Sequence, residues 1–455
     1  MGEEKMKCRF PSGEFYDAAF EIVAELKRHG KKAFLIGGCV RDLLLGRSPH
    51  DIDLVTSARP EEIQAWFEKT YAVGASFGVV TVRKDGFSFE VATLREERDY
   101  RDGRRPEKVF YTEDEKLDVV RRDFTVNGLL CDPQTGAVLD YVDGIGDLHR
   151  GVLRTIGDPD RRFSEDYLRI LRAIRFTVRL GFEMEAGTRE AVRRHAGKLS
   201  LLSCERIREE LEKMLLGPHP SRAFRMMLEL GVLKEILPEV AAMDGVEQPP
   251  QFHPEGDVFT HTMIMLERMC HPTADLAWSV LLHDVGKVPT AARGADGVMH
   301  FYGHEHIGSQ MAKEILGRLK CSSARVENVS TAVANHMKFA SVDRMRESTW
   351  RKMIAEPTFA TEMELNRVDC ISCHGKMGGY LLMLDRWKSL GDAPAVPPLP
   401  VDGHDLIRLG GKPDPELGRI LAILRDEFLE GKRKTREELL KFAGVLIKNR
   451  KKLAK

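Results

Sequence analysis

The chain has 455 residues, 42% hydrophobic and 31% charged, and its 70 basic and 70 acidic side chains cancel. At roughly 150 residues per domain it suggests about three folding units, and no stretch approaches the ~20 apolar residues of a membrane span. Eight cysteines are too sparse for a disulfide framework, and Met1-Gly-Glu-Glu-Lys-Met-Lys lacks the apolar core of a secretory signal, so a soluble, cytoplasmic, multidomain protein is expected. Residues 14–29 read as an amphipathic helix, with Phe15, Ala19, Ile22, Val23 and Leu26 on one face and Gly30 as its stop. A strand from Ala33, the pair Gly37-Gly38, a helix and a second strand at 51–55 follow. Val79–Arg83 and Phe87–Leu94 alternate around Lys84-Asp85-Gly86 as a hairpin. Beyond Gly151 a helical period takes over. Four prolines between 394 and 400 mark a stiff linker. Between Lys432 and Lys455, ten Lys/Arg face only Glu437 and Glu438, a net of +8 that can track a phosphate backbone.

The segment Leu35-Ile-Gly-Gly-Cys-Val-Arg-Asp, running on to His50-Asp-Ile-Asp-Leu-Val, carries the most chemical information. Gly37 and Gly38 bring bare backbone N–H groups to the start of a helix, which suits a phosphate. On a strand, Asp51 and Asp53 share one face roughly 7 Å apart, a spacing suited to Mg²⁺ ions that also touch phosphates. Glu90, on the later hairpin strand, could add a third carboxylate; its alternative is a solvent-facing glutamate. Arg121 and Arg122 supply fixed charge for a triphosphate. Arg41 could reach phosphate, and Asp42 suits a structural ion pair. Asp123 and Asn127 could hold a ribose or serve as turn and capping residues. Asp166 and Arg169 are three apart on an expected helix and would share a face. As a pair they are either an intrahelical salt bridge or a base reader. The carboxylate would accept from the exocyclic amine of cytosine or adenine, and the guanidinium would donate to the neighbouring ring nitrogen.

These residues resemble the head of the class II tRNA nucleotidyltransferases, the CCA-adding enzymes and bacterial poly(A) polymerases. Further matches fall in the family's order: Thr93-Leu-Arg with the flexible loop Tyr100–Pro106, Arg121 to Asn127, and Glu165-Asp-Tyr-Leu-Arg169 running on to Arg172 and Phe176. The likeness covers about residues 14–240. It implies two-metal nucleotidyl transfer, with Asp51, Asp53 and Glu90 catalytic and Gly37, Gly38, Arg41, Arg121, Arg122, Asp123, Asn127, Asp166, Arg169 and Arg172 on the nucleotide. It also implies that Asp166 and Arg169 act as the template.

Downstream, His261, His283-Asp284, His304, His336 and Asp369 are spread over helices and resemble the HD phosphohydrolase superfamily over about residues 250–376. That resemblance implies a site at His261, His283, Asp284 and Asp369, extended by His304 and His336. Its donors suit a transition metal (Mn²⁺, Ni²⁺, Fe²⁺ or Zn²⁺) better than Mg²⁺. His306 has no counterpart and reads as surface. Cys370-Ile-Ser-Cys-His374 spells a haem-attachment pattern, but it adjoins Asp369 on a helix and no export signal precedes it, so no haem is expected.

The expected fold is α+β: a mixed-sheet nucleotidyltransferase head (1–148), a helical neck and body (149–248), an HD domain (249–390) and a helical basic tail (401–455). The expected activity is template-independent addition of CCA to tRNA 3′ ends from CTP and ATP, with Mg²⁺ in the head, a transition metal in the HD domain, and no membrane. The rivals are an A-only or CC-only enzyme, a poly(A) polymerase, and an HD phosphodiesterase whose head merely binds RNA. Phe77-Gly-Val-Val-Thr-Val lacks the Arg-Phe-rich stretch of the poly(A) polymerase group, and an undeleted Tyr100–Pro106 argues against CC-only addition.

Overall fold

The computed structural model describes residues 6–71, 78–101, 105–251, 253–295 and 297–453, and for 97–101, 105–109 and 450–453 the backbone alone. Phe77 and residues 102–104 at the centre of the expected flexible loop lie outside the described residues, and the side chains of the rest of Tyr100–Pro106 do too. The chain divides into two compact units, Met1–Ala241 and Ala242–Lys455. The break falls before the expected boundary at 248, because the N–H groups of Val258 and Phe259 bond to the carbonyls of Val246 and Met243.

In the first unit, helix Glu14–Arg28 buries Tyr16, Ala19, Ile22, Val23 and Leu26, each large apolar side chain contributing about 1.5–3 kcal/mol. The strands are β1 (Ala33–Ile36), β2 (Asp53–Thr56), β3 (Thr70–Tyr71), β4 (Val79–Lys84), β5 (Phe87–Thr93), β6 (Arg95–Arg101), β7 (Arg105–Tyr111), β8 (Leu130–Cys131) and β9 (Val138–Leu139). Among the described residues, seven of them form one sheet in the order β3-β4-β5-β2-β1-β8-β9, and β6 pairs with β7 separately. The sheet is mixed: β2 and β5 run parallel, and the other pairs are antiparallel. The β4–β5 hairpin closes through Asp85 (φ 48°) and Gly86 (φ 86°). Positive φ at both central residues matches the right-handed twist of the strands, which is why Asp-Gly stands there.

The second strand starts at Asp53, so Asp51 and Ile52 precede it and the expected strand 51–55 is corrected at that end. After the head, the first unit continues through helices Pro159–Glu165, Leu168–Leu180, Ala186–His195, Cys204–Leu215 and Pro220–Glu229. A two-residue parallel ladder, Val152–Leu153 with Glu183–Met184, interrupts the otherwise helical neck.

Among its described residues the second unit is helical apart from an antiparallel ladder between Ala292–Arg293 and Met299–His300. Its site-bearing helices are Val258–Glu267, Ala274–Leu282, His304–Arg318, Ser323–Asn335 and Phe359–Ser372. The Pro-rich stretch 394–400 carries no helix or strand. The tail helices Gly403–Arg408, Pro415–Leu429 and Arg436–Leu453 bury Val401, Leu406, Ile420, Leu424, Leu439 and Ala443 as a core of their own. No helix among the described residues is long and apolar enough to cross a membrane.

Candidate functional site

The head site is assembled where β1, β2 and β5 lie side by side. Parallel pairing places Asp53 opposite Glu90, so the two carboxylates stand next to each other on adjacent strands. Burial, then the charges of Asp51 and Glu90, push the Asp53 carboxyl up to about 6, while Arg122 pulls the other way. Three carboxylates crowded against one half-buried strand end are unstable as anions alone, and a divalent cation relieves that repulsion. The donor set therefore fits Mg²⁺. Gly37 takes φ 78° and ψ −128°, a conformation only glycine adopts cheaply, and caps the helix Gly38–Leu44. A Cβ there would lie 3.6 Å from Arg122 Nη1.

Around this centre the expected nucleotide-binding residues form a buried charge network. Asp118, fully buried, accepts from Arg121 (2.6 Å) and from Arg122 (3.1 Å), aiming both guanidiniums from one helix end. Arg41 is 2% exposed. It donates to Asn127 Oδ1 (2.6 Å) and to Asp42 (2.8 Å), and it lies over the Phe176 ring. Asn127 in turn donates to Asp123 (3.2 Å). Asp123 also accepts two bonds from Arg172 (2.8 and 2.6 Å). Arg41, Asp123 and Asn127 thus have protein partners in the interior.

Burial would raise the Asp123 carboxyl, but Arg172 outweighs it and holds the group at about 2, well below its ordinary value. Because the folded value is depressed, the stabilisation is present above about pH 4 and is lost as pH falls through about 2. Replacing Arg172 by alanine leaves Asp123 buried without its cation. The expected cost is about 3 kcal/mol, read as a lower urea midpoint at unchanged slope near neutral pH, with the difference from wild type shrinking as pH falls toward 2.

Asp166 and Arg169 do not share a helix face. The helix Pro159–Glu165 ends before Asp166, whose backbone is extended (φ −151°), and the next helix begins at Leu168. The Asp166 carboxylate accepts from Leu168 N–H (3.0 Å) and from Arg206 (2.7 Å). Arg169 donates to Glu165 (2.8 Å) and to the carbonyls of Arg162 and Arg121 (3.0 Å each). Each is oriented by its own set of partners, and no intrahelical salt bridge joins them. Arg206 and Glu165 escaped the sequence reading, and only Glu165, inside the matched motif, carried a local signal.

In the second unit all six expected ligands converge. The helix carrying His283 ends at Leu282, so His283 and Asp284 lie in the turn beyond it. Gly286 lets that turn approach the start of helix His304–Arg318, since a Cβ there would sit 2.1 Å from the His304 carbonyl. Asp284 consequently lies 3.4 Å from His304 and 3.8 Å from His336. His261, His283 and Asp369 form one ligand group, and Asp284, His304 and His336 another. His306 is an exposed surface residue.

The ring protons indicate what the cluster holds. His283, His304 and His336 each direct Nδ1 at a backbone carbonyl, of Val280 (2.9 Å), Phe301 (2.8 Å) and Val333 (2.6 Å). Their Nε2 lone pairs then point inward. His304 and His336 meet Nε2 to Nε2 at 3.2 Å; burial disfavours a charge on His304, but Asp284 outweighs it and raises that ring above its ordinary value. The buried Nε2 atoms of His261 and His283 lie 3.1 Å from Asp369 and 3.0 Å from Asp284, close contacts that lack the alignment of a hydrogen bond. Burial holds His336 neutral, its value lowered to about 4. His261 is fixed by Glu255, which accepts from its Nδ1 at 2.6 Å. Burial disfavours its charge, but Asp369 and Glu255 outweigh that and raise it to about 9. A cation between these groups replaces the shared proton, so the donors fit a transition metal. Glu255 was missed because it lies in the Pro-rich loop ahead of the helix. Cys370 and Cys373 flank Asp369, their thiols pushed up by burial to about 11 and 12.

The family profiles matching this chain are the poly A polymerase head domain at residues 33–154, the probable RNA and SrmB-binding site of polymerase A at 181–243, and the HD domain at 258–369. The chain is 33% identical over 409 residues to a CCA-adding enzyme of Lactobacillus delbrueckii subsp. bulgaricus, covering 90% of this chain and 92% of that one. This chain belongs to the CCA-adding enzyme family. A Geobacillus thermodenitrificans CCA-adding enzyme is 42% identical over 226 residues, 50% of this chain and 55% of that one. Among solved structures, the Bacillus stearothermophilus CCA-adding enzyme in complex with CTP aligns at TM-score 0.73 and 26% identity over 97% of this chain and 100% of that one. The Thermotoga maritima enzyme complexed with tRNA shares the fold at TM-score 0.56 and 21% identity, over 95% of each. The mixed-sheet head, helical body and HD domain of the CCA-adding enzymes are therefore the architecture of this chain.

Proposed function

We propose that this chain adds CCA to tRNA 3′ ends, taking CMP and AMP from CTP and ATP without a nucleic-acid template. The observation that carries it is the carboxylate trio Asp51, Asp53 and Glu90 beside Arg122, with Asp53 raised to about 6 by burial and like charge. Two Mg²⁺ ions bound there would lower the pKa of the attacking 3′-hydroxyl and neutralise the leaving pyrophosphate. The chain's own residues orient the reactants: Arg121 and Arg122, aimed by Asp118, take the triphosphate, and Asp166 and Arg169 read the base edge. Asp123, Asn127, Arg41 and Arg172 hold that geometry from beneath. The test is Mg²⁺-dependent incorporation of labelled CTP and ATP into tRNA lacking its CCA end. Absence of incorporation would favour the rival in which the head only binds RNA.

The inward-facing Nε2 atoms favour a second activity, hydrolysis of a phosphomonoester or a 2′,3′-cyclic phosphate in the HD domain. The metal would supply an activated water and charge stabilisation at the phosphate. Lys287 Nζ, 2.7 Å from both Asp284 and Gln248, fixes the orientation of the Asp284 carboxylate. Replacing His283 by alanine should abolish hydrolysis in phosphatase and cyclic phosphodiesterase assays while sparing CTP and ATP addition, which uses the head's carboxylates. Unchanged hydrolysis would reject the assignment. Glu255→Gln should weaken retention of the transition metal by about 10–100-fold, measured by chelator competition. Unaltered metal retention would make Glu255 a packing residue only.

A further inference from the structure

Beside the histidine–aspartate cluster opens a cavity of about 900 Å³, lined by His283, Asp284 and Asp369 together with Phe301, Tyr302 and Phe339. A phosphate group alone fills a small part of such a volume, and the lining beyond the cluster combines aromatic and apolar side chains with the charged Arg344 and Lys376. Tyr302 is 82% exposed. Its ring stacks on that of His300, the two planes 7° from parallel with centroids 5.3 Å apart, and both residues line the cavity. The short ladder that ends at His300 and the left-handed Gly303 (φ 73°) hold Tyr302 just before the ligand His304. Two peptide units separate the Tyr302 and His304 backbones by at most about 7.6 Å, a gap that one ribose can bridge. Asn366, which also lines the cavity, is 8% exposed and its side-chain carbonyl makes no hydrogen bond. It stands one helical turn before Asp369, and its carbonyl is placed to accept from a sugar hydroxyl or a base amine.

We propose that Tyr302, backed by His300, is a stacking platform for the base of a ribonucleotide whose phosphate ester reaches the histidine–aspartate cluster, with Asn366 accepting a hydrogen bond from its sugar or base. The cleft is thus built for a nucleotide or an RNA end, not for a small phosphomonoester. This rests on the phosphohydrolase reading of the HD domain. Stacking tolerates any base, because every base has a π-face, so the platform confers preference for nucleotides without strong preference among them.

The test compares hydrolysis of adenosine 2′-monophosphate and glycerol 2-phosphate by the full-length enzyme loaded with a transition metal. The wild type should favour the nucleotide. Tyr302→Ala should raise KM for adenosine 2′-monophosphate about tenfold, leave kcat near wild type and leave glycerol 2-phosphate unaffected, and Tyr302→Phe should behave as wild type. Equilibrium dialysis of adenosine 2′-monophosphate against metal-free protein in chelator should show the same tenfold loss of affinity in Tyr302→Ala. The head's nucleotide site is common to both proteins and cancels in the difference. Equal KM for the two substrates in the wild type, or a loss shared by both substrates in Tyr302→Ala, overturns the platform. If neither substrate is hydrolysed, the phosphohydrolase reading fails, and the dialysis difference alone still decides whether Tyr302 binds the nucleotide.

Discussion

Replacing Asp51 or Asp53 by alanine is expected to lower CTP and ATP incorporation by at least about a thousandfold while changing tRNA affinity by less than about threefold. The size follows from removing several kcal/mol of metal-mediated charge stabilisation, at 1.36 kcal/mol for each factor of ten. The effect should be largest at Asp53. It stands opposite Glu90 on the neighbouring strand, and its carboxyl is pushed up by burial and then by the charges of Asp51 and Glu90. Glu90→Gln keeps the shape and removes one charge, so it should be the mildest of the three and be partly rescued by more Mg²⁺. Rates of incorporation are read beside tRNA binding and circular dichroism. Near-wild-type incorporation by a correctly folded Asp51 or Asp53 variant would remove the proposed active site.

The second large effect concerns base choice. Cytosine and adenine both present an amine donor beside a ring-nitrogen acceptor, whereas guanine and uracil present the reverse. A half-buried carboxylate and guanidinium facing the wrong edge meet like partners, acceptor against acceptor and donor against donor, a penalty worth up to about 10⁴-fold in discrimination. Asp166→Ala or Arg169→Ala should therefore raise UTP and GTP incorporation, relative to CTP and ATP, by about 100-fold or more. Arg206→Ala should act in the same direction but less strongly, because Arg206 touches Asp166 and orients it. If all four nucleotides slow together with ratios unchanged, the two residues are structural.

What could be read in advance was what is local. The β4–β5 hairpin follows from alternation around Asp85-Gly86, and the HD ligands follow from residue types at family spacing. The proximity of Glu90 to Asp53 depends on strand pairing between segments far apart in the chain, and it was left open until the parallel register placed them side by side. Asp166 was misplaced for a definable reason. Helical spacing from Arg169 suggested one helix, but the Asp166 side chain bonds the Leu168 N–H and breaks the helix at that residue. Arg41 and Asn127 were singled out by residue type alone, and the hydrogen bond between them, 86 residues apart in the chain, had no local signal. Asp118, Arg206 and Glu255 act through other residues, and nothing in their immediate sequence sets them apart from ordinary surface charges.

The most direct test of the central claim uses three tRNA substrates, ending before the CCA, after its first C, and after CC, each incubated with CTP, ATP and Mg²⁺. The account predicts that all three are completed to CCA and that extension stops there. Extension of only the CC-ended tRNA would make the chain an A-adding enzyme, and arrest at CC would make it a CC-adding one. Continued runs of adenylate, or no addition to any of the three, would contradict CCA addition by this head.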